Sequence, residues 1–223
     1  MNWSPLILTF KLASITTLIL MVLSLPLSWW LAYSKSRIKP VVETLVSMPL
    51  VLPPTVLGFY FLIFFSPGNA FGSWLDEWFG IRLVFSFEGL VIASLLYSLP
   101  FMTHPLQSGL TSLPISLKEA AYVMGKSRTV TFFKVLLPNM RASVFTGIVL
   151  TFAHTVGEFG VVLMMGGNIP GKTRVASIAI YDEVEALNYT AANRYSMILF
   201  GITFCVLLIV YLTNGGYLKR FLR

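Results

Sequence analysis

Leu117-Lys118-Glu119-Ala120-Ala121-Tyr122-Val123-Met124-Gly125, then nine residues, then Val135-Leu136-Leu137-Pro138, is the stretch on which the reading of this chain turns. It is polar, basic and helix-forming, and it stands between two hydrophobic runs where a simple membrane anchor needs only a short turn. Pro114 suits the first turn of a helix and Gly125 its C-terminal stop. Between them Ile115, Leu117, Ala121, Tyr122 and Val123 supply apolar surface, while Lys118 and Glu119 remain polar. A second short helix is predicted over about 129–137, ending near Pro138. A helix lying parallel to a membrane can fill a groove on a partner, and alanines let it approach closely. The plainer alternative is an amphipathic surface helix with no partner.

The composition around this stretch belongs to a bilayer protein. The chain has 223 residues, 56% hydrophobic and only 11% charged, with a mean hydropathy of +0.79; soluble domains sit nearer a quarter charged. Crossing about 30 Å of hydrocarbon takes roughly 20 apolar residues as a helix. Five stretches qualify, at about 12–33, 42–65, 87–104, 142–165 and 196–213. These predict an all-α integral membrane protein with five transmembrane helices in a single domain, 1–223, and a loop over about 105–141. Pro49, Pro53 and Pro54 punctuate the second span, which places it inside the bundle, where neighbours can take up the freed carbonyls. Pro26 and Pro100 predict further kinks. The first apolar run is too long for a signal peptide and is read as a retained helix. Cys205 lies in a hydrophobic run and is expected to pack as a small apolar side chain.

Charge asymmetry gives a direction. One set of connections holds Lys35, Arg37 and Lys39, then Lys118, Lys126, Arg128, Lys134 and Arg141, then Lys219, Arg220 and Arg223. The opposite set holds Arg82, Lys172, Arg174 and Arg194 among Asp76, Glu77, Asp182, Glu183 and Glu185. The positive-inside rule puts the N-terminus outside and the C-terminus and the 105–141 loop in the cytoplasm. The net charge of +7 thus reports membrane orientation rather than nucleic acid as a partner. Residues 66–86, with Trp74 and Trp78 four apart, predict a short interfacial helix. Residues 166–195 begin with turn chemistry and continue through a helix-compatible segment from Val175 to Leu187.

Gly166-Gly167-Asn168-Ile169-Pro170-Gly171-Lys172-Thr173 formally satisfies the P-loop pattern. A P-loop needs a preceding strand in a parallel sheet and a following helix that holds phosphate. Here a membrane helix precedes it, and the charge rule places it outside, away from ATP. What remains is a set of exposed backbone amides beside Lys172 and Arg174, a first contact for an anion.

Glu158, within Gly157-Glu158-Phe159-Gly160, is the one acidic residue deep within a predicted span. Burying it costs at least ~2.5 kcal/mol on insertion scales, so it is expected to face the bundle interior or a watery path. His154 stands four residues earlier, on the same face of a helix. Three readings stay open: a metal or proton site with His154, a pin to a neighbouring helix, or a lining of the transport path. Gly157 and Gly160 would allow close helix approach.

The pattern Glu119-Ala120-Ala121, three residues, Gly125, nine residues, then an aliphatic residue, x, Leu137-Pro138, resembles the coupling loop of permease subunits of ATP-driven importers; the family form usually has Ile where Val135 stands. The segment Met48 to Gly58, the Gly157–Gly160 motif and the Gly167–Arg174 loop are similar to molybdate importer permeases. Sulfate/thiosulfate permeases resemble these regions too but are generally longer. The resemblance covers about residues 10–215. It implies a MetI-like, type I ABC importer permease in the bacterial inner membrane, working by alternating access. It also implies a homodimer, two cytoplasmic ATPase subunits holding ATP-Mg, and an external oxyanion-binding protein, with no cofactor, metal or catalytic residue in this chain. On that resemblance Glu119, Ala120, Ala121, Gly125, Leu137 and Pro138 couple to the ATPase, and force passes into the third and fourth spans. Gly157, Glu158, Phe159, Gly160, Asn168, Lys172 and Arg174 would belong to the path or its gate. Tungstate or sulfate as the anion, a passive channel or carrier, and a membrane enzyme using His154 and Glu158 are the rival readings.

Overall fold

Apolar residues on every side of the longest helices leave no polar stripe for solvent, so these helices pack against one another and present the remainder outward. The computed structural model describes residues 2–214, and no strand occurs among them. Helix α1 (Ser4–Tyr33) starts with Pro5 in its first turn and carries Pro26 inside. Next come α2 (Lys39–Val51), α3 (Pro54–Phe65), α4 (Ala70–Phe79) and α5 (Phe87–Ser112). The loop holds α6 (Ile115–Val123), α7 (Arg128–Thr131), a π-helical turn (Phe132–Leu136) and α8 (Leu137–Asn139). Beyond it lie α9 (Arg141–Val156), α10 (Gly160–Gly166), α11 (Ala176–Glu185) and α12 (Tyr189–Asn214).

Three of these helices are long and apolar enough to cross a membrane: α1, α5 and residues Tyr189–Leu208 of α12. Two bent pairs, α2 with α3 and residues Arg128–Asn139 with α9, raise the number to five if each pair is one span. The stretch at 42–65 is not one straight helix. It bends by 114° between α2 and α3, because Leu52 is extended (ψ 137°) and Pro53 and Pro54 together remove two backbone donors. The stretch at 142–165 is broken too, at Gly157-Glu158-Phe159, between α9 and α10. Helix α5 runs on to Ser112, eight residues past the predicted end at 104, with Pro100 and Pro105 inside it. Cys205 is exposed rather than packed. The predicted helix with Trp74 and Trp78 is α4, capped by the Asn69 side chain and closed by Gly80. Lys219, Arg220 and Arg223 lie outside the described residues.

The core is built on α1 and α5, which lie along each other and both against α9; α10 packs on α3 and α5, and α11 on α12. Serines and threonines line the α1–α5 contact. Thr103 Oγ1 donates to Ser24 Oγ (3.2 Å) and Ser28 Oγ to the Thr103 carbonyl (3.1 Å). Small hydroxylated side chains let helices approach and bond across a membrane interior.

Candidate functional site: the amphipathic loop and the buried carboxyl

The loop is rooted in the bundle and bare on its outer side. Phe132, Leu136 and Met140 are buried together with Leu20 of α1 and Met102, Leu106 and Leu110 of α5, and Leu117 and Leu137 pack against this cluster. Ala121 is buried, whereas Glu119, Ala120 and Pro138 are exposed. Ile115, Val123 and Met124 also lie exposed, Val123 at 87%. Gly125 closes α6 with φ +72° and donates to the Tyr122 carbonyl at 2.9 Å, a left-handed position that favours glycine. The predicted second helix runs from α7 through α8 and ends at Asn139, one residue past Pro138. Pro138 lacks an N–H and would clash with the carbonyl four residues back. The chain widens there into a π turn, in which Leu137 N–H donates to the Phe132 carbonyl. The two parts of the motif are therefore one body, held by contacts to α1 and α5.

Glu158 sits at the break between α9 and α10, 4% exposed. Ser94 Oγ of α5 donates to its Oε2 at 2.6 Å, and Ser177 Oγ of α11 donates to its backbone carbonyl at 2.6 Å. Its Oε1 is buried with no hydrogen-bond partner among the described residues. His154 does not meet it, because α9 ends at Val156 and the helical register is lost between them. The imidazole instead stacks on Phe101 (centroids 3.8 Å apart), and its Nδ1 lies 3.0 Å from Ser98 Oγ. Both groups thus read one face of α5 through serines four residues apart, Ser94 and Ser98. That spacing was the signal available in the sequence. No group of three or more His, Cys, Asp or Glu that could hold a metal occurs among the described residues. Of the two glycines, Gly160 makes a close approach: a Cβ there would stand 2.9 Å from Pro54 Cβ of α3. At Gly157 the nearest atoms are carbonyl oxygens of its own helix, 3.7 Å away.

The 166–174 loop is knitted to itself. Thr173 Oγ1 donates to the Gly166 carbonyl (2.7 Å), and the amides of Lys172, Thr173 and Arg174 all donate to the Ile169 carbonyl at 3.0–3.2 Å. Those amides are spent within the turn, so the exposed anion cradle expected there is not formed. The P-loop likeness also fails, since α10 precedes it and not a strand. Asn168, Arg174 and Asp182 form a cluster: Asn168 Nδ2 donates to both Asp182 oxygens (2.6 and 2.7 Å), and Arg174 Nε to Asn168 Oδ1 (2.5 Å). Lys172 is exposed.

A cavity of about 690 Å³ opens among α2, α5 and α9, with His104, Ser108, Ser143 and Thr146 among its lining residues. His104 Nε2 lies 3.2 Å from Ser47 Oγ of α2, and Gln107 Nε2 donates to Glu43 Oε1 at 2.8 Å. Sequence reading passed over His104, an isolated polar residue whose neighbours come from two other helices. Glu158 does not line this cavity.

Comparison with known proteins agrees with this architecture. A molybdenum transport system permease protein of Azotobacter vinelandii is 46% identical over 207 residues, covering 92% of this chain and 90% of that protein. Its counterpart in Escherichia coli K12 is 32% identical over 184 residues, covering 82% and 80%. A probable sulfate transport system permease protein of Zygnema circumcarinatum is 33% identical over 212 residues, covering 95% and 72%. Among solved structures, an inward-facing MetNI methionine ABC transporter matches with TM-score 0.73 and 16% identity, over 95% of this chain and 94% of that one. A bacterial ABC transporter involved in the import of alginate matches with TM-score 0.75 and 18% identity, over 97% and 78%; these two likenesses concern the fold. The family model described as the inner membrane component of binding-protein-dependent transport systems matches residues 24–223, and the chain belongs to that family.

Proposed function

We propose that this chain is the permease subunit of an ATP-driven importer whose cargo is molybdate. The observation that carries the cargo is the 46% identity to a molybdenum transport permease over nine-tenths of both chains. Sulfate, the second reading, is favoured by the 33% identity to a sulfate permease of which this chain covers 72%. The permease works as a homodimer of single-domain, five-span subunits, with the N-terminus outside. Two cytoplasmic subunits hold ATP-Mg, and an external binding protein delivers the anion.

The exposed side of α6, with Glu119, Ala120 and Val123, suits a groove on the ATPase subunit. Ala121, Gly125, Leu137 and Pro138 shape the lever and seat it. When the ATPase subunits close on ATP, the lever moves as a body and drags α1 and α5, against which Phe132, Leu136 and Met140 pack. The Gly157–Gly160 break is the pivot. Glu158 pins it to α5 and α11, Phe159 leads into α10, and Gly160 lets α10 lie against α3. On the opposite side Asn168 and Arg174 hold the 166–174 turn to α11, and the exposed Lys172 meets the arriving anion. The path past the cavity offers polar groups, among them His104, Ser108 and Ser143. Such groups accompany a dianion without trapping it, as binding must stay weak enough for release.

Uptake of radiolabelled molybdate by cells expressing the full system tests the reading. Expected is uptake that tungstate suppresses at equal concentration and sulfate only in large excess. Equal competition by sulfate would transfer the assignment to the second reading, and uptake persisting after ATP depletion would replace the importer with a passive carrier.

A further inference from the structure

Two cavities meet where α1 ends and the loop begins. One, of about 510 Å³, is an apolar groove between Val22, Leu25 and Pro26 of α1 and the rings of Phe132 and Phe133. The other, of about 320 Å³, lies among Trp30, Tyr33, Lys118, Tyr122 and Arg128 and mixes aromatic rings with two cations. Trp29 and Arg128 line both, so the two lie side by side with these residues between them. Trp29 is fixed there edge-on to Phe132 (4.7 Å) and Tyr33 (5.4 Å).

The dimensions suit a membrane interface. Helix α1 has 30 residues, about 45 Å at 1.5 Å per residue, against a hydrocarbon core of about 30 Å. The excess lets its last turns reach beyond the hydrocarbon, and Trp29, Trp30 and Tyr33 form an aromatic group of the kind found at headgroup level. Lys118 Nζ hangs 4.2 Å from the centroid of the Tyr33 ring. Neither Lys118 nor Arg128 is in an ion pair among the described residues. Two unneutralised cations beside an apolar groove that points along a transmembrane helix complement one molecule in shape and charge.

We propose that this composite cavity binds an anionic phospholipid, its phosphate between Lys118 and Arg128 and an acyl chain in the groove beside Pro26. The lipid would bridge α1, α6 and the π turn, and so brace the lever against the helix it moves. A free phosphate would use only the half with the cations; the apolar groove on the other side of Trp29 and Arg128 selects the lipid. The inference rests on the reading of the chain as a membrane permease and not on its cargo.

The full-length chain in nanodiscs of phosphatidylglycerol or of phosphatidylcholine provides the test, read as protection of the Lys118 amine from acetylation and as lipid retained in native mass spectrometry. Protection and retention are expected with phosphatidylglycerol and not with phosphatidylcholine. Arg128→Gln should reduce retention severalfold, and Lys118→Gln with Arg128→Gln roughly 30-fold. Val22→Trp fills the groove from a side chain that is 68% exposed, so the core is untouched. It should abolish retention with both cations intact. Equal retention of the neutral lipid, retention unchanged in the double variant or in Val22→Trp, or protection of Lys118 by inorganic phosphate alone would each overturn the assignment. Anion uptake is not read, so failure here leaves the cargo untouched.

Discussion

Glu158 has Oε2 bonded to Ser94 at 2.6 Å, while Oε1 finds no partner among the described residues. Removing the one bonded partner strands the whole carboxyl group, and a buried group left unmade costs about 1–3 kcal/mol. Ser94→Ala is therefore expected to lower the thermal unfolding midpoint in detergent, and Glu158→Gln, which can still bond Ser94, to lower it less. Equal midpoints for Ser94→Ala and the parent would remove Glu158 from its role as a pin. Glu119 is the opposite case, an exposed acid with nothing around it to stabilise. Glu119→Lys should leave the fold unchanged yet abolish both uptake and the stimulation of ATP hydrolysis by loaded binding protein in the reconstituted complex. Loss of uptake with normal stimulation would contradict the coupling role.

At the level of elements, the lever depends on one backbone conformation and the pivot on one close contact. Gly125 holds φ +72°, which a residue with a Cβ adopts at about 1–2 kcal/mol. Gly125→Val should fray the end of α6 and weaken coupling while the chain still inserts, as seen from ATPase stimulation alongside membrane content. At Gly160 an added Cβ meets Pro54 Cβ at 2.9 Å, so α10 and α3 must separate. Gly160→Val is expected to destabilise by about 1–3 kcal/mol as overpacking does, measured by thermal unfolding. Gly157→Ala, with no foreign atom in contact, should be tolerated better, and the reverse order would refute this account of the pivot. The α6 helix and its stop were legible because Pro114 and Gly125 act locally. The π turn was not, since it combines Pro138, which acts locally, with Phe132 and Leu136 seated in the packed cluster on α1 and α5.

For the whole molecule, orientation and partnership are the testable properties. In a Cys205→Ser background, Arg82→Cys should react with an impermeant thiol reagent in intact cells, and Lys126→Cys only after permeabilisation. The inverse result would turn the molecule over and remove α6 from the ATP side. In the same background Val123→Cys should crosslink to the copurified ATPase subunit. The cavity with His104 and the bond from α11 to Glu158 could be recognised only at this scale, because Ser47 and Ser177 lie on other helices, remote in sequence from the residues they meet.

The sequence by itself determined that the chain is helical and membrane-embedded, roughly where its apolar stretches lie, and that a polar amphipathic loop interrupts them. These follow from hydropathy over some twenty residues and from proline and glycine, which act within a turn or two. Only the tertiary structure decided that two of the five stretches are broken and that His154 and Glu158 face different serines. It also decided that the amides of Lys172, Thr173 and Arg174 are occupied within their turn and that the loop is rooted on α1 and α5. Each of these depends on which remote atom fills a freed backbone position or a buried polar one, and residues far apart along the chain meet only when the helices pack.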